Sequence, residues 1–550
     1  MLQQGMFSID QNSNSLWDTL PKLQVLGGSS QPVIHFVEDI DVAFTSLGAG
    51  VDDHAASDLS GLRITRERFY PSGGQDWGAT LFYSDFLGRL PVELRTWQNQ
   101  LGMKISAAGK RLGRNIEDLY AEYSVGDNWM LVGSSYVGDR RHHRVMGDLS
   151  VKETARYLRE TLLKAEEDCL EKFPQEDSRK RSREWFAAET HRVDRLIESC
   201  GDGSLADLYR RWLREYLGDA VRLDATSSLF SLAADRPKTV LLEVFLRDYA
   251  TVAGLYNQAV TETDVGLHKL QINRGELPFF AVLPHRGRLV RTELAFQGGE
   301  IVIAEKSFAF RDGHLPVDAL REAGVRCIVG KAVPLALEVR IQPGGQALAL
   351  PYRGSLYTPA VHRFAALLNE NNLLPGPLAP IVRVRFALLD HLRSLDTTIR
   401  LPEHLVSYFG SAEVSARGVG ENYTAIAAEA GDRLERFKDT AQRNQWLSEN
   451  FPEQVRTIQE LNQQKRQLAR GDPKSPQVRE IWKQIRTIEN ELLAATLHQI
   501  AMDYQAAHID FYDSRGAILP WCIALGGESF YNEVIAKARI TEEPASPVPQ

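Results

Sequence analysis

Apolar positions change period along this chain, and each change marks a different kind of structure. Over 150–218 they recur at helical spacing, with Leu158, Leu162, Ala165, Cys169 and Phe173 first. Trp185, Val193, Leu196 and Ile197 follow, then Leu205, Leu208, Trp212 and Tyr216. This pattern predicts three successive helices with one buried face each. Ser150 and Glu153 have the form of a capping box at the first of them. Over 238–263 one more long helix is expected, entering with Val240, Leu241, Val244 and Phe245. After Gly266 the period becomes strand-like. Runs at 277–283, 288–296 and 300–304 read as β-strands, the last two joined by the turn signal Gln297-Gly298-Gly299. Buried strands are expected at 325–329 and 335–341, a turn at Pro343-Gly344-Gly345, and a helix over 361–369. Near the start, Val33–Val37 reads as a strand, followed by loop-rich chain up to Tyr70.

The strongest periodicity lies at 432–510, which predicts two long helices folded back on each other. Val478, Ile481, Ile485, Ile488 and Leu492 repeat at a three-four spacing and form one seam. The arms are separated by Gly471-Asp472-Pro473-Lys474-Ser475-Pro476, which a helix does not cross. Phe451, Val455, Ile458 and Leu468 give the first arm a looser seam, interrupted by Asn462 and Lys465. Trp482, Leu493 and Leu497 fall off the main seam and are expected to face another subunit, which points to a homodimer through the arm. Packing of the arm on the protein's own body is the alternative.

Interleaved strands and helices predict an α/β protein. At 550 residues the chain should hold about two to four domains. The expected division is an N-terminal tail over 1–25, an α/β and helical region over 26–235, a middle α/β domain over 236–420, the helical hairpin over 421–515, and a C-terminal segment over 516–550 ending in a weakly ordered tail. A net charge of −8 favours neither nucleic acid nor an anionic membrane as a partner. Cys169, Cys200, Cys327 and Cys522 form no close pair, so neither a zinc site nor a disulfide framework is expected. With no secretory signal and no membrane-length apolar run, a cytoplasmic location is expected.

Three places carry candidate chemistry. Ser72-Gly73-Gly74-Gln75-Asp76-Trp77-Gly78 could bring backbone amides close to an anion, although it is neither a Walker loop nor Gly-x-Gly-x-x-Gly. A surface turn closed by a packed tryptophan is the other reading. Arg140-Arg141-His142-His143-Arg144 follows an expected strand at 129–132 and offers charge for phosphate or carboxylate, or else forms a solvated loop. In the middle domain, Pro284-His285-Arg286-Gly287-Arg288 reads as a hairpin tip. Tyr352-Arg353-Gly354-Ser355-Leu356-Tyr357-Thr358 reads either as a pocket mouth in which Arg353 fixes a carboxylate or as a purely structural turn. There is no nucleophile elbow and no His-x-x-x-His metal pair.

The order of these features resembles the putative cysteine ligases that complete bacillithiol synthesis. Gly73-Gly74-Gln75 with Gly78 is similar to the glycine-glutamine motif that opens that family's core, and the tryptophan strand at 129–132 follows at a comparable distance. The segment at 245–260 with Tyr256-Asn257, and Glu276-Leu277-Pro278-Phe279-Phe280, also resemble middle segments of the family. Where the family carries acidic and histidine residues after the tryptophan strand, this chain has Gly133-Ser134-Ser135-Tyr136. The resemblance implies a Rossmann-like core with helical insertions and a late antiparallel coiled-coil hairpin that pairs two subunits. It implies a ligase that joins an amine and a carboxylate on a small anionic metabolite. Gly73, Gly74 and Gln75 would contact a phosphate or carboxylate, Arg144 and Arg353 would add charge-assisted bonds, and Ser355 or Tyr357 would orient the substrate. Activating a carboxylate calls for a nucleotide such as ATP or ADP, though no loop marks its site, and no residue is assigned a catalytic role. A non-enzymatic scaffold that recruits a partner through the arm is the rival expectation.

Overall fold

The computed structural model describes residues 5–9, 16–41, 85–90, 92, 94–123, 138–139, 142–265, 267–353, 355, 357–513 and 515–543. Two compact units make up the chain. The first comprises Met1–Phe86, Val132–His391 and Tyr512–Gln550, and the second Leu87–Leu131 and Leu392–Phe511.

A six-stranded sheet organises the first unit. Its strands are β1 (Met6–Ile9), β2 (Val33–Val37), β3 (Arg222–Ala225), β4 (Ala347–Pro351), β5 (Ile381–Arg385) and β6 (Arg539–Glu543). Their spatial order is β6-β5-β4-β1-β2-β3. All neighbours run parallel except β6, which lies antiparallel to β5. The two central strands read Met-Phe-Ser-Ile and Ala-Leu-Ala-Leu-Pro and are buried along their whole length. Such continuous burial is expected where a parallel sheet is covered on both faces. Ser8 and His35 sit opposite each other in the β1–β2 register and are joined by a 3.0 Å hydrogen bond. A helix, α1 (Leu16–Gly27), connects β1 to β2, and another, α2 (Thr358–Glu370), connects β4 to β5. The two crossovers step in opposite directions from the centre, so right-handed connections put the helices on opposite faces. Burial agrees. Phe364, Leu367 and Leu368 of α2 share a core with Phe7 and Ile9, a core to which the buried Leu20, Leu23 and Leu26 of α1 do not contribute.

A second sheet in this unit is antiparallel. Cys327–Gly330, Glu276–His285, Arg288–Gln297, His142–Arg144 and Gly138–Asp139 lie in that order, and Glu300–Ile303 and Lys306–Ala309 extend from Arg288–Gln297. The expected hairpin at Gln297-Gly298-Gly299 is present, with φ of 59° and 82° at the two glycines. These positive angles are why glycine occupies the turn.

Several expectations are corrected here. The apolar run expected as a strand at 335–341 belongs instead to the helix Ala332–Glu338. Leu335, Leu337, Val339 and Ile341 alternate with Ala336, Glu338 and Arg340, a strand-like pattern that the helix overrides. The long helix expected over 238–263 is two, Val240–Arg247 and Tyr249–Thr263, broken at Asp248. Asp248 adopts φ −143° and ψ 68°, and its side chain accepts a hydrogen bond from the Thr251 amide. The segment expected as an N-terminal tail contains β1 and most of α1, and β6 occupies part of the expected C-terminal tail. One sheet thus draws strands from four of the five expected segments.

Among the described residues, the second unit is helical apart from a two-stranded ribbon, Thr398–Arg400 with Glu413–Ser415. Its later helices are α3 (Glu403–Phe409), α4 (Ala416–Phe437), α5 (Thr440–Asn450), α6 (Pro452–Gly471) and α7 (Pro476–Ala507). The first arm expected from sequence is interrupted at two points. Asp439 caps α5 by accepting from the Gln442 amide at 2.9 Å, and Pro452 opens α6. Ser475 caps α7, and α6 packs against it. Along α7 the seam is half-buried at Val478 and Ile481 and buried at Ile485 and Leu492. Trp482 is exposed, but Leu493 and Leu497 are not free to meet another subunit. They sit in this unit's own core with Trp97, Leu101, Leu434 and Phe437.

Candidate functional site

In a parallel sheet whose order reverses, the connections after the two central strands leave in opposite directions, which opens a crevice at their carboxyl ends. Here the reversal falls between β1 and β4. The segment leaving β4 is the Arg353–Ser355 loop singled out from the sequence. Tyr352 and Arg353 are exposed, Ser355 has φ 61°, and Tyr357 is the residue before α2. The loop is closed at its base by the Ser355 carbonyl, which accepts from the Thr358 amide at 2.9 Å and from Thr358 Oγ1 at 2.6 Å.

Below the loop, Arg383 of β5 donates to the Pro351 carbonyl at 3.1 Å and to Thr358 Oγ1 at 2.9 Å, and its Nε meets Glu543 at 2.6 Å. His362 of α2 approaches the other Glu543 oxygen at 3.3 Å. Burial works against the Glu543 charge, yet hydrogen bonds from His362 and Arg383 outweigh it and hold the carboxyl down to about 2.

Arg385, two residues along β5, joins the rim. Its guanidinium lies 4.9 Å from the centre of the Tyr352 ring, and that of Arg353 lies 5.5 Å from the same ring. Both distances fall within cation–π range. Arg385 also donates to Asp513 at 3.0 Å, and the other Asp513 oxygen accepts from the Leu389 amide at 2.9 Å. Burial pushes the Asp513 carboxyl up. In the first turn of α1, Asp18 meets Arg515 at 3.2 Å. Side chains of the β4 loop and β5, with Asp513, therefore form a charged, aromatic-centred border at the reversal point. A guanidinium pair beside a tyrosine suits a planar carboxylate or a phosphate.

A second feature lies at the carboxyl ends of β2 and β3. A cavity of about 190 Å³ is lined there by residues including Asp39, Arg210, Asp224, Ser227 and Arg326. The Asp39 carboxylate accepts from the Ser227 amide at 2.8 Å and from its hydroxyl. Burial raises the Asp39 carboxyl despite these bonds. Glu38 beside it accepts from the amides of Ile40 and Asp41, both at 2.7 Å. Burial first, then Asp41 and Asp39, lift Glu38 well above the ordinary carboxylate range.

Of the residues expected from sequence, Arg353, Ser355 and Tyr357 share the β4 loop. Arg144 lies in the second sheet, where its buried guanidinium is bonded to the Asp148 side chain and donates to the Asp148 carbonyl at 2.8 Å. Asp148 also accepts from the Leu289 amide at 2.8 Å, so Arg144 helps hold the turn at Met146–Asp148 to the neighbouring hairpin. Gly73, Gly74 and Gln75 lie outside the described residues, as does the tryptophan strand at 129–132. Arg385, Asp513 and Asp39 were not anticipated. The one signal for Arg385 was alternation in Ile381-Val382-Arg383-Val384-Arg385, which marks a strand ending in a charged residue.

No group of three or more His, Cys, Asp or Glu side chains among the described residues is arranged to hold a metal ion. No described helix is long and apolar enough to cross a membrane. Compared with known proteins, the chain matches no family model, no curated protein and no solved structure.

Proposed function

We propose that this chain is a Rossmann-like, ligase-type enzyme, a diverged relative of the bacillithiol cysteine ligases. It joins an amine to a carboxylate on a small anionic metabolite at the carboxyl edge of the parallel sheet. The observation that carries this reading is the strand-order reversal between β1 and β4, with Arg353 and Arg385 both over Tyr352 beside it. Arg353 and Arg385 grip the anionic group, while Ser355 and Tyr357 set the orientation of the substrate. Exposed Arg353 makes the first contact, and Arg385, already tied to Asp513, keeps a fixed direction. A nucleotide such as ATP or ADP would activate the carboxylate. The described residues include no phosphate cradle, so no step is assigned to it.

The test incubates the purified full chain with ATP, single amino acids and amino-sugar carboxylates, following ADP or AMP release and product mass. Product formation that falls at least tenfold in Arg353→Ala supports the reading. Absence of binding and of product across the whole set sinks it.

A scaffold reading is favoured by one observation, the exposure of Trp482 (55%) and Leu468 (38%) on the helical hairpin. On that reading α6 and α7 form an antiparallel coiled coil that pairs two copies of the chain. Sedimentation of the wild type and of Trp482→Ala distinguishes the readings. A dimer lost in the variant, with no small-molecule binding in either protein, favours the scaffold.

A further inference from the structure

Asp503 lies near the end of α7 and is 0% exposed. Its two oxygens have unequal surroundings. Oδ1 accepts from the Tyr408 hydroxyl on α3 and from Gln499 one turn earlier on α7, the latter at 2.7 Å. Arg433 of α4 approaches the same oxygen at 3.5 Å. Oδ2 has no hydrogen-bond partner among the described residues. Glu429, one turn before Arg433 on α4, adds like charge to the surroundings. A buried carboxylate with one oxygen unserved is costly to keep ionised, and a neutral carboxyl is much less so.

We propose that Asp503 is a proton-dependent latch that holds α3 against α7. With a proton on the carboxyl, the contact between the two helices closes over a neutral group. With the proton gone, the same contact buries a charge whose second oxygen has nothing to accept from, and α3 loosens. The direction of the carboxyl's affinity agrees. Burial raises it to about 6, opposed by the Tyr408 hydrogen bond, the Arg433 charge and the Gln499 hydrogen bond, and supported by Glu429. An acid raised in the folded state favours folding most below its ordinary value of 3.8. That contribution is lost as pH climbs from there through about 6.

Hydrogen exchange on the full chain tests this, with amide rates at 405–409 corrected for intrinsic exchange. In the wild type, opening of these amides should rise about tenfold between pH 5 and 7, as linkage predicts for this pair of affinities. In Asp503→Asn it should stay flat over the same interval. Tyr408→Phe removes a donor to the ionised form, so its transition should move to higher pH. Equal slopes in wild type and Asp503→Asn, or no rise in the wild type, overturn the proposal. Should Asp503→Asn fail to fold, an unmoved transition in Tyr408→Phe overturns it equally well.

Discussion

Glu543 in the first unit is partly buried and Asp503 in the second fully so, and their affinities for protons move in opposite directions. Glu543 receives a guanidinium and an imidazole, one on each oxygen, and is held near 2. Asp503 receives a phenol and an amide on one oxygen, an arginine at 3.5 Å, and nothing on the other, and it rises to about 6. Burial is the first cause acting on each. What separates them is whether partners reach both oxygens, as they do at Glu543 and not at Asp503. Acid therefore weakens the sheet edge at β6, where Glu543 contributes stability above about 4.5 and loses it as pH falls toward 2. Neutral pH instead weakens the packing around Asp503.

The largest expected effect comes from removing the donor that serves Glu543. Arg383→Ala should destabilise the first unit by about 3 kcal/mol in urea unfolding, because it removes hydrogen bonds to Glu543, the Pro351 carbonyl and Thr358 at once. A loss below about 1 kcal/mol would mean that the pairing is not what distinguishes the two acids. Next in size, Asp503→Asn should stabilise the second unit by about 1–2 kcal/mol at pH 7 and have little effect at pH 4, as read from thermal unfolding at both values. His362→Ala should cost about 1 kcal/mol and move the acid unfolding midpoint to higher pH, since one oxygen of Glu543 then lacks its partner. Arg353→Ala is the smallest for stability, within about 0.5 kcal/mol for an exposed loop residue. Its effect should appear in binding of an anionic substrate, measured by calorimetry.

Much of the secondary structure was legible because its period was long. The helices at Glu176–Cys200 and Leu205–Leu217 and the strands at Glu276–His285 and Arg288–Gln297 match the expected periodicities closely. The errors fell where the local pattern misled. The run at 335–341 alternates apolar positions with Glu338 and Arg340 like a strand, although 335–338 is helical, and Asp248 breaks a helix whose apolar face continues across the break. β1 was hidden because four residues, Met6–Ile9, gain strand character only from neighbours far away in sequence, β2 and β4. The same limit governs the site. The β4 loop could be singled out as Arg-Gly-Ser ahead of an expected helix, with no sign of the strand before it. Its placement at the reversal point, beside Arg385 and Asp513, depends on pairing that no local pattern encodes. The arm shows the converse. Its seam was plain, but the fate of Leu493 and Leu497 was decided by Trp97 and Leu101, nearly 400 residues away in the chain.

The parallel sheet collects its strands from residue 6 to residue 543. A ribosome building this polypeptide therefore presents the middle strand β1 about 530 residues before the bordering strand β6. From the emergence of β5 at residues 381–385 until β6 follows at 539, β5 has an open edge, and unpaired edges invite mispairing with other chains. During synthesis, protection of that edge would have to come from a chaperone or from slow emergence, and a premature stop just before residue 539 would leave it bare permanently.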